Sequence, residues 1–237
     1  MSNNTANIDS RELDKFDLLA KEWWDPHGKL KTLHHINPVR LRYIDNAAAL
    51  AGKSVLDLGC GGGLLAEAMT EKGARVTGLD ASNTSIEVAR WHQQQTGKEI
   101  EYVVNTAEQF AQHKQTAFDV ITCMELLEHV PDVESLLSAC SKMLKPGGHL
   151  ILSTINRNLK AYIATVLGAE YLLGLLPKGT HDYKKFVRPS ELDQWLRKAG
   201  LSILDIAGMC YIPVINVCTI TDNPAINYIM HAKLENL

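Results

Sequence analysis

The chain lacks most of the features that would place it outside a reducing cytosol. Its five cysteines, at positions 60, 123, 140, 210 and 218, are odd in number and form no C-x-x-C pair. That argues against a disulfide framework or a zinc knuckle. Positive charge is not in surplus, with 24 Lys and Arg against 27 Asp and Glu, a net charge of −3. Bulk electrostatics therefore gives no reason to expect a nucleic-acid partner, which leans on a basic face. The first ten residues are polar, without the apolar stretch of a secretory signal or the arginines of a transit peptide. No internal repeat, low-complexity tract or linker interrupts the 237 residues, so we expect one domain. Its 46% hydrophobic content is enough for a sizeable core.

What is present is a glycine turn. Ser54-Val55-Leu56-Asp57-Leu58-Gly59-Cys60-Gly61-Gly62-Gly63 is a short apolar strand that meets an acid and then glycines, with a helix expected from Leu64. Glycine lets the backbone turn sharply and lets a ligand lie against the main chain. The free N–H groups of a helix start then face that ligand. Gly61-Gly62-Gly63-Leu64-Leu65-Ala66 also has the spacing of a dinucleotide fingerprint, and Asp80 follows about 20 residues on, as that fingerprint requires. Asp57 tips the balance. At the strand tip an acid would repel a pyrophosphate but tolerate the ammonium and sulfonium of S-adenosylmethionine. Asp80, at the end of a second strand, can accept hydrogen bonds from the ribose hydroxyls of either cofactor.

From residue 53 the pattern alternates: strands at 53–58, 75–80, 100–104, 118–124 and 148–154, helices at 64–72, 83–96 and 133–144. This is the rhythm of a parallel sheet covered on both faces. Upstream, Ser10 can cap a helix over 11–24 with one apolar face, and Pro38 can start another that ends at Ala51-Gly52. Lys145-Pro146-Gly147-Gly148 reads as a turn. After Thr154 the rhythm breaks: 159–176 is apolar and helical in pattern, then come a helix at 189–199, a strand at 201–208, and a hairpin-like strand pair over 214–233. We divide the chain into a helical cap (1–50), a cofactor-binding core (53–154), an insertion or lid (155–188) and a C-terminal part (189–237).

Glu125, Glu128 and His129 follow the fourth strand, where open α/β sheets carry their sites. If helical, their spacing puts all three on one face. Two carboxylates point to Mg²⁺ or Mn²⁺ and the imidazole leaves Zn²⁺ open; the same residues would also serve as a polar rim with His129 bonding a substrate. His181, in Gly179-Thr180-His181-Asp182, is a candidate proton acceptor and equally a loop histidine bonded to the neighbouring acid.

Val55 to Gly63 resembles the first motif of class I S-adenosylmethionine-dependent methyltransferases. Three further segments are similar to the ubiquinone biosynthesis O-methyltransferase family: Ile36-Asn37-Pro38-Val39-Arg40-Leu41, Cys123-Met124-Glu125-Leu126-Leu127-Glu128-His129-Val130 and Pro177-Lys178-Gly179-Thr180-His181-Asp182. The resemblance runs from about residue 12 to the C-terminus. It implies a doubly wound, mostly parallel, seven-stranded Rossmann-like sheet with an N-terminal helical cap and an apolar helical insertion after strand five. It implies a cofactor site of Arg40, Asp57, Gly59, Gly61, Asp80 and Met124, with Arg40 facing the cofactor's carboxylate and Met124 its adenosine end. It implies methyl transfer to phenolic oxygens of polyprenylated rings, a polyprenyl catechol early and a demethylubiquinol late. The catechol strengthens the divalent-metal reading of Glu125, Glu128 and His129, and His129 and His181 become the catalytic candidates.

Residues 161–176 open on Ala161, close on Leu176 and hold one charge. As a helix they would reach about 24 Å, short of the ~30 Å hydrocarbon core. We expect them to lie on the membrane surface that holds the substrate, with Lys178, Lys184 and Lys185 toward anionic headgroups; the alternative is a helix covering the sheet. The chain is then cytoplasmic and peripheral at the inner membrane, with other ubiquinone-biosynthesis proteins as candidate partners. Rival readings are a methyltransferase for another small molecule or for tRNA, a non-catalytic cofactor-binding subunit, and a nicotinamide oxidoreductase. The acidic balance and apolar insertion argue against RNA, the acidic cluster against a scaffold, and Asp57 and the lack of a second domain against a nicotinamide enzyme.

Overall fold

The computed structural model describes residues 7–162 and 183–235. Five strands form a parallel block: β1 (Ser54–Leu58), β2 (Arg75–Asp80), β3 (Glu101–Val104), β4 (Phe118–Met124) and β5 (Leu144–Ile155). They are followed by β6 (Leu201–Ile212), β7 (Val217–Thr221) and β8 (Asn227–Leu234), giving the order β3-β2-β1-β4-β5-β8-β6-β7. β8 runs antiparallel to both β5 and β6.

Alternation along each strand feeds two cores. Leu56, Leu58, Ile121 and Cys123 point to one face, under α5 (Ala107–Phe110), α6 (Val133–Met143) and α8 (Pro189–Lys198). Val55, Val76, Val120 and Ile151 point to the other, under α2 (Lys31–Ala48), α3 (Leu64–Glu71) and α4 (Asn83–Thr96). A strand buried on both sides has no polar face, which is why β1 reads as an unbroken apolar run around Asp57. The doubly wound, mostly parallel sheet is as expected.

Several boundaries differ. Eight strands, not seven, make the sheet among the described residues. β6 runs beyond β8 to Ile212 and folds back into β7, which pairs with it from Gly208↔Thr221 to Ile212↔Val217. The tail is thus not a hairpin: β7 and β8 lie on opposite edges of β6. Pro38 does not start α2; it sits inside it. The hydrogen bond it removes is outweighed by packing of Ile36, Ile44 and Ala48 on either side. Asp9, not Ser10, caps α1 (Ser10–Leu19), accepting from Arg11 N at 3.1 Å, and the helix tightens into a 3₁₀ turn at Ala20–Glu22. The 145–148 turn is an irregularity within β5, where the register shifts between Phe118↔Leu144 and Val120↔His149. Of the apolar stretch 159–176 only the helical turn α7 (Leu159–Tyr162) is described; residues 163–182, His181 included, lie outside the described residues. Among the described residues no helix is long and apolar enough to cross a membrane.

Candidate active site

A crevice opens at the carboxyl ends of β1, β2, β3 and β4, lined by loops after each of them and by α1. It sits where the chain order reverses, with β2 and β3 on one side of β1 and β4 and β5 on the other, the usual ligand position of such sheets. Gly59 and Gly61 have φ of +71° and +53°, a region that side chains resist. A Cβ on Gly61 would also overlap the Trp23 ring, and one on Gly59 would meet the Leu126 methyls at 3.0 Å. The turn is held from the next strand: Gly59 N and Cys60 N donate to Leu79 O at 2.8 and 3.1 Å, and Gly61 N to Asp80 Oδ2 at 2.8 Å. Asp80 Oδ1 accepts from Ser82 N at 2.8 Å. Burial raises the Asp80 pKa against these two bonds.

Three described residues lining the crevice are incomplete, Trp23 at Nε1 and two charged ones, Asp57 and Arg40. Asp57 is 3% exposed. Its Oδ1 accepts from Thr122 Oγ1 at 2.7 Å, while its Oδ2 has no hydrogen-bond partner. Burial pushes its pKa up to about 7, against the Thr122 bond and the Arg40 charge. Arg40, also buried, points Nη2 to within 3.1 Å of Glu125 Oε1, but the pair is not aligned as a hydrogen bond and both Nε and Nη2 lack acceptors. A buried donor or acceptor left unpaired costs about 1–3 kcal/mol. The crevice therefore asks for an anion beside Arg40 and a donor or cation beside Asp57.

The cluster after β4 departs from the one-face helix. Met124 lines the crevice, but Glu125 has φ +51° and only a 3₁₀ turn, Leu127–His129, follows. Each side chain goes its own way. Glu125 Oε1 accepts from Ser153 Oγ at 2.8 Å, Glu128 is buried against Thr154 Oγ1 at 2.6 Å, and His129 Nδ1 lies 2.9 Å from Glu12 Oε2. Among the described residues no three His, Cys, Asp or Glu side chains converge as a metal site. As arranged, Glu125, Glu128 and His129 do not fit a shared cation, because each is turned to a different neighbour.

Sequence reading missed the wall supplied by α1. Asp9, Glu12, Leu13 and Phe16 line the crevice. Lys185, read as a surface charge for lipid headgroups, instead reaches Asp9 Oδ2 at 3.2 Å and Glu12 Oε1 at 3.0 Å. Burial would raise the Glu12 pKa, but the bonds from Lys185 and His129 outweigh it and hold it low. Burial lowers the pKa of His129 despite Glu12. The available signal was the apolar stripe Leu13-Phe16 on a helix whose covering partner the sequence does not reveal.

A family profile described as "Methyltransferase domain" matches residues 32–206. The ubiquinone biosynthesis O-methyltransferase of Saccharophagus degradans is 50% identical over 98% of this chain and 99% of its own. That of Pseudomonas aeruginosa is 51% identical over 97% and 99%. The chain belongs to the ubiquinone biosynthesis O-methyltransferase family. It is thus an S-adenosylmethionine-dependent O-methyltransferase. Solved structures share the fold: the magnesium protoporphyrin IX methyltransferase of Synechocystis with bound SAH (TM-score 0.68, 19% identity, 94% of each chain) is one. A 1,6-didemethyltoxoflavin-N1-methyltransferase from Burkholderia thailandensis is another, with TM-score 0.65 and 16% identity over 100% of this chain and 93% of its own.

Proposed function

We propose that the crevice transfers a methyl group from S-adenosylmethionine to a phenolic oxygen of a polyprenylated ring. The substrates are an early polyprenyl catechol and a late demethylubiquinol of ubiquinone synthesis. The observation that carries this is the pair of incomplete charged groups. The unpaired Nε and Nη2 of Arg40 suit the cofactor's carboxylate, and the unpaired Oδ2 of Asp57 suits its ammonium. Asp80 has lone pairs left for the ribose hydroxyls, the positive-φ turn at Gly59 and Gly61 shapes the crevice wall between them and Asp57, and Met124 is the candidate neighbour of the adenosine.

When bound, the cofactor supplies an electrophilic methyl on a sulfonium. The chain has to bring up an oxygen nucleophile. A phenol with pKa about 10 is one part in a thousand ionised at pH 7, a deficit of about 4 kcal/mol. His129 is the described histidine on the crevice wall that can take the phenolic proton, at Nε2, as the oxygen gains the methyl. Leu13, Phe16, Leu126 and Val130 offer the ring an apolar seat that excludes water. Alignment within about 3–3.5 Å of the methyl supplies much of the remaining rate. No step here passes through a metal, because the donors are engaged elsewhere. His181 remains a second candidate base, and residues 161–176 a surface for meeting a membrane-dissolved substrate. Liposome co-sedimentation of Leu172→Glu/Leu175→Glu against wild type tests the latter; equal binding makes the segment a cover for the sheet.

Incubation with methyl-labelled S-adenosylmethionine and a short-tailed demethylubiquinol tests the function. Label should appear as a methyl ether on the ring. Tight cofactor binding without transfer to any polyprenyl phenol would overturn the proposal.

A further inference from the structure

Glu12, near the start of the sequence, meets His129 in the crevice across 117 residues. Its Oε2 meets His129 Nδ1 at 2.9 Å, while its Oε1 lies 3.0 Å from Lys185 Nζ and 3.3 Å from Lys15 Nζ. One turn along α1, Phe16 meets the His129 ring edge to face, with centroids 5.0 Å apart and planes at 87°. The imidazole is therefore fixed twice, by a bond in its plane and by an aromatic neighbour. Neutral imidazole carries one N–H, and the nitrogen that bonds a carboxylate is the one that keeps it. A carboxylate with both oxygens occupied is itself poorly free to turn.

We propose that Glu12 is a positioning residue for methyl transfer: it fixes the orientation and tautomer of His129 so that Nε2 is the bare nitrogen offered to the phenolic oxygen. Lys185 holds Glu12 in place from the far side. α1 is then part of the catalytic apparatus, although it precedes the cofactor-binding core. The inference rests on the role given to His129 above.

A double-mutant cycle with the short-tailed quinol tests it. Glu12→Ala should lower kcat about 10- to 100-fold, in the range that misplacement of a reacting group produces. KM for the quinol and the cofactor Kd should stay within about twofold. Glu12→Gln, whose amide oxygen can still accept from Nδ1–H, should recover most of the loss. On a His129→Ala background, Glu12→Ala should cost nothing more. If Glu12→Ala does not fold, Glu12→Met fills the space without an acceptor and takes its place. The same fold-loss in both backgrounds, or a loss confined to KM or cofactor affinity, would make Glu12 a plain anchor for α1 and overturn the inference. A readout independent of turnover is the ¹⁵N spectrum of the His129 ring. Wild type should show protonated Nδ1 and bare Nε2, and Glu12→Met should lose that preference; an unchanged tautomer overturns the inference. Should wild type fail to methylate the quinol, the functional proposal falls, and the spectrum still decides the role of Glu12.

Discussion

Two buried carboxylates line the same crevice and behave in opposite ways. Asp57, beside the glycine turn, has an oxygen with no partner and a pKa raised to about 7. Glu12, on the α1 side, has both oxygens bonded and a pKa held below its ordinary value. Burial pushes both upward; only Glu12 has cations close enough to reverse it. One end of the crevice is left short of a positive charge for a ligand to bring. The other is complete before any ligand arrives. On the proposed function, binding and alignment are in this way divided between the glycine turn and α1.

The largest expected effect comes from filling the glycine turn. Gly61→Val places a branched Cβ in the left-handed region and into the Trp23 ring. Neither the turn nor the indole can move without disturbing the other. Cofactor binding should weaken more than 100-fold by titration calorimetry, while far-UV circular dichroism shows the sheet intact. Near-normal binding would mean that the cofactor does not lie against this turn, and the contrast between the two ends would lose its first half.

Next comes Asp57. Its unpaired oxygen makes the ammonium partner ionic, so Asp57→Asn should raise the cofactor Kd by about 1.5–3 kcal/mol, as for a lost charged hydrogen bond. The pH dependence is sharper. With a free-enzyme pKa about 7, Asp57 is protonated below neutrality and must lose that proton to hold a cation. Affinity should therefore fall as pH drops below 7, approaching tenfold per unit, and Asp57→Asn should remove the slope. A wild-type Kd flat between pH 5 and 8 would show that Asp57 does not face the ammonium.

How much of this was legible follows the same division. Asp57 and Asp80 lie on two successive strands with Gly59 and Gly61 in the turn between, and the bonds of that turn to Leu79 and Asp80 span some 20 residues, although Asp57 itself is bonded to Thr122, 65 residues on. A local motif therefore carries the geometry of that turn. The bonds of Glu12 span 117 residues to His129 and 173 to Lys185. No spacing rule relates them, so α1 read only as an amphipathic helix. The cluster after β4 failed for a third reason. Three residues at helical spacing share a face only if a helix forms, and the left-handed Glu125 breaks it at its first residue. The extra strand β7 was hidden because its half-exposed residues, Val217 to Thr221, look the same in sequence whether they pair with β6 or with β8.

Stability should expose the two acids with opposite signs. Asp57 has a folded pKa above its unfolded one, so the stability it contributes is present in acid and lost as pH rises toward 7. Asp57→Asn should therefore gain in Tm relative to wild type between pH 4 and 8. Glu12 has a folded pKa below its unfolded one, so its contribution is present above the ordinary carboxylate range and lost as pH falls through it. Glu12→Gln should therefore be destabilised at pH 7, and the deficit should shrink in acid. Differential scanning calorimetry of both variants across this range checks the signs; curves that run parallel to wild type would abolish the contrast.

The smallest effect tests what keeps Glu12 complete. Lys185 is partly exposed, at 31%, and its ion pair with Glu12 is open to screening. Such pairs contribute about 1 kcal/mol or less, roughly 2–4 °C in Tm for a domain of this size. Lys185→Met keeps the aliphatic length and removes the charge. Tm should drop by no more than that, and less so at high salt. The informative change is elsewhere: the Glu12 carboxylate loses a cation and should titrate at higher pH, visible by ¹³C NMR of its side chain, while the Asp57 titration is untouched. If Lys185→Met leaves the Glu12 titration where it was, His129 and Lys15 hold that carboxylate down, and Lys185 belongs to the surface of the protein, as the sequence suggested.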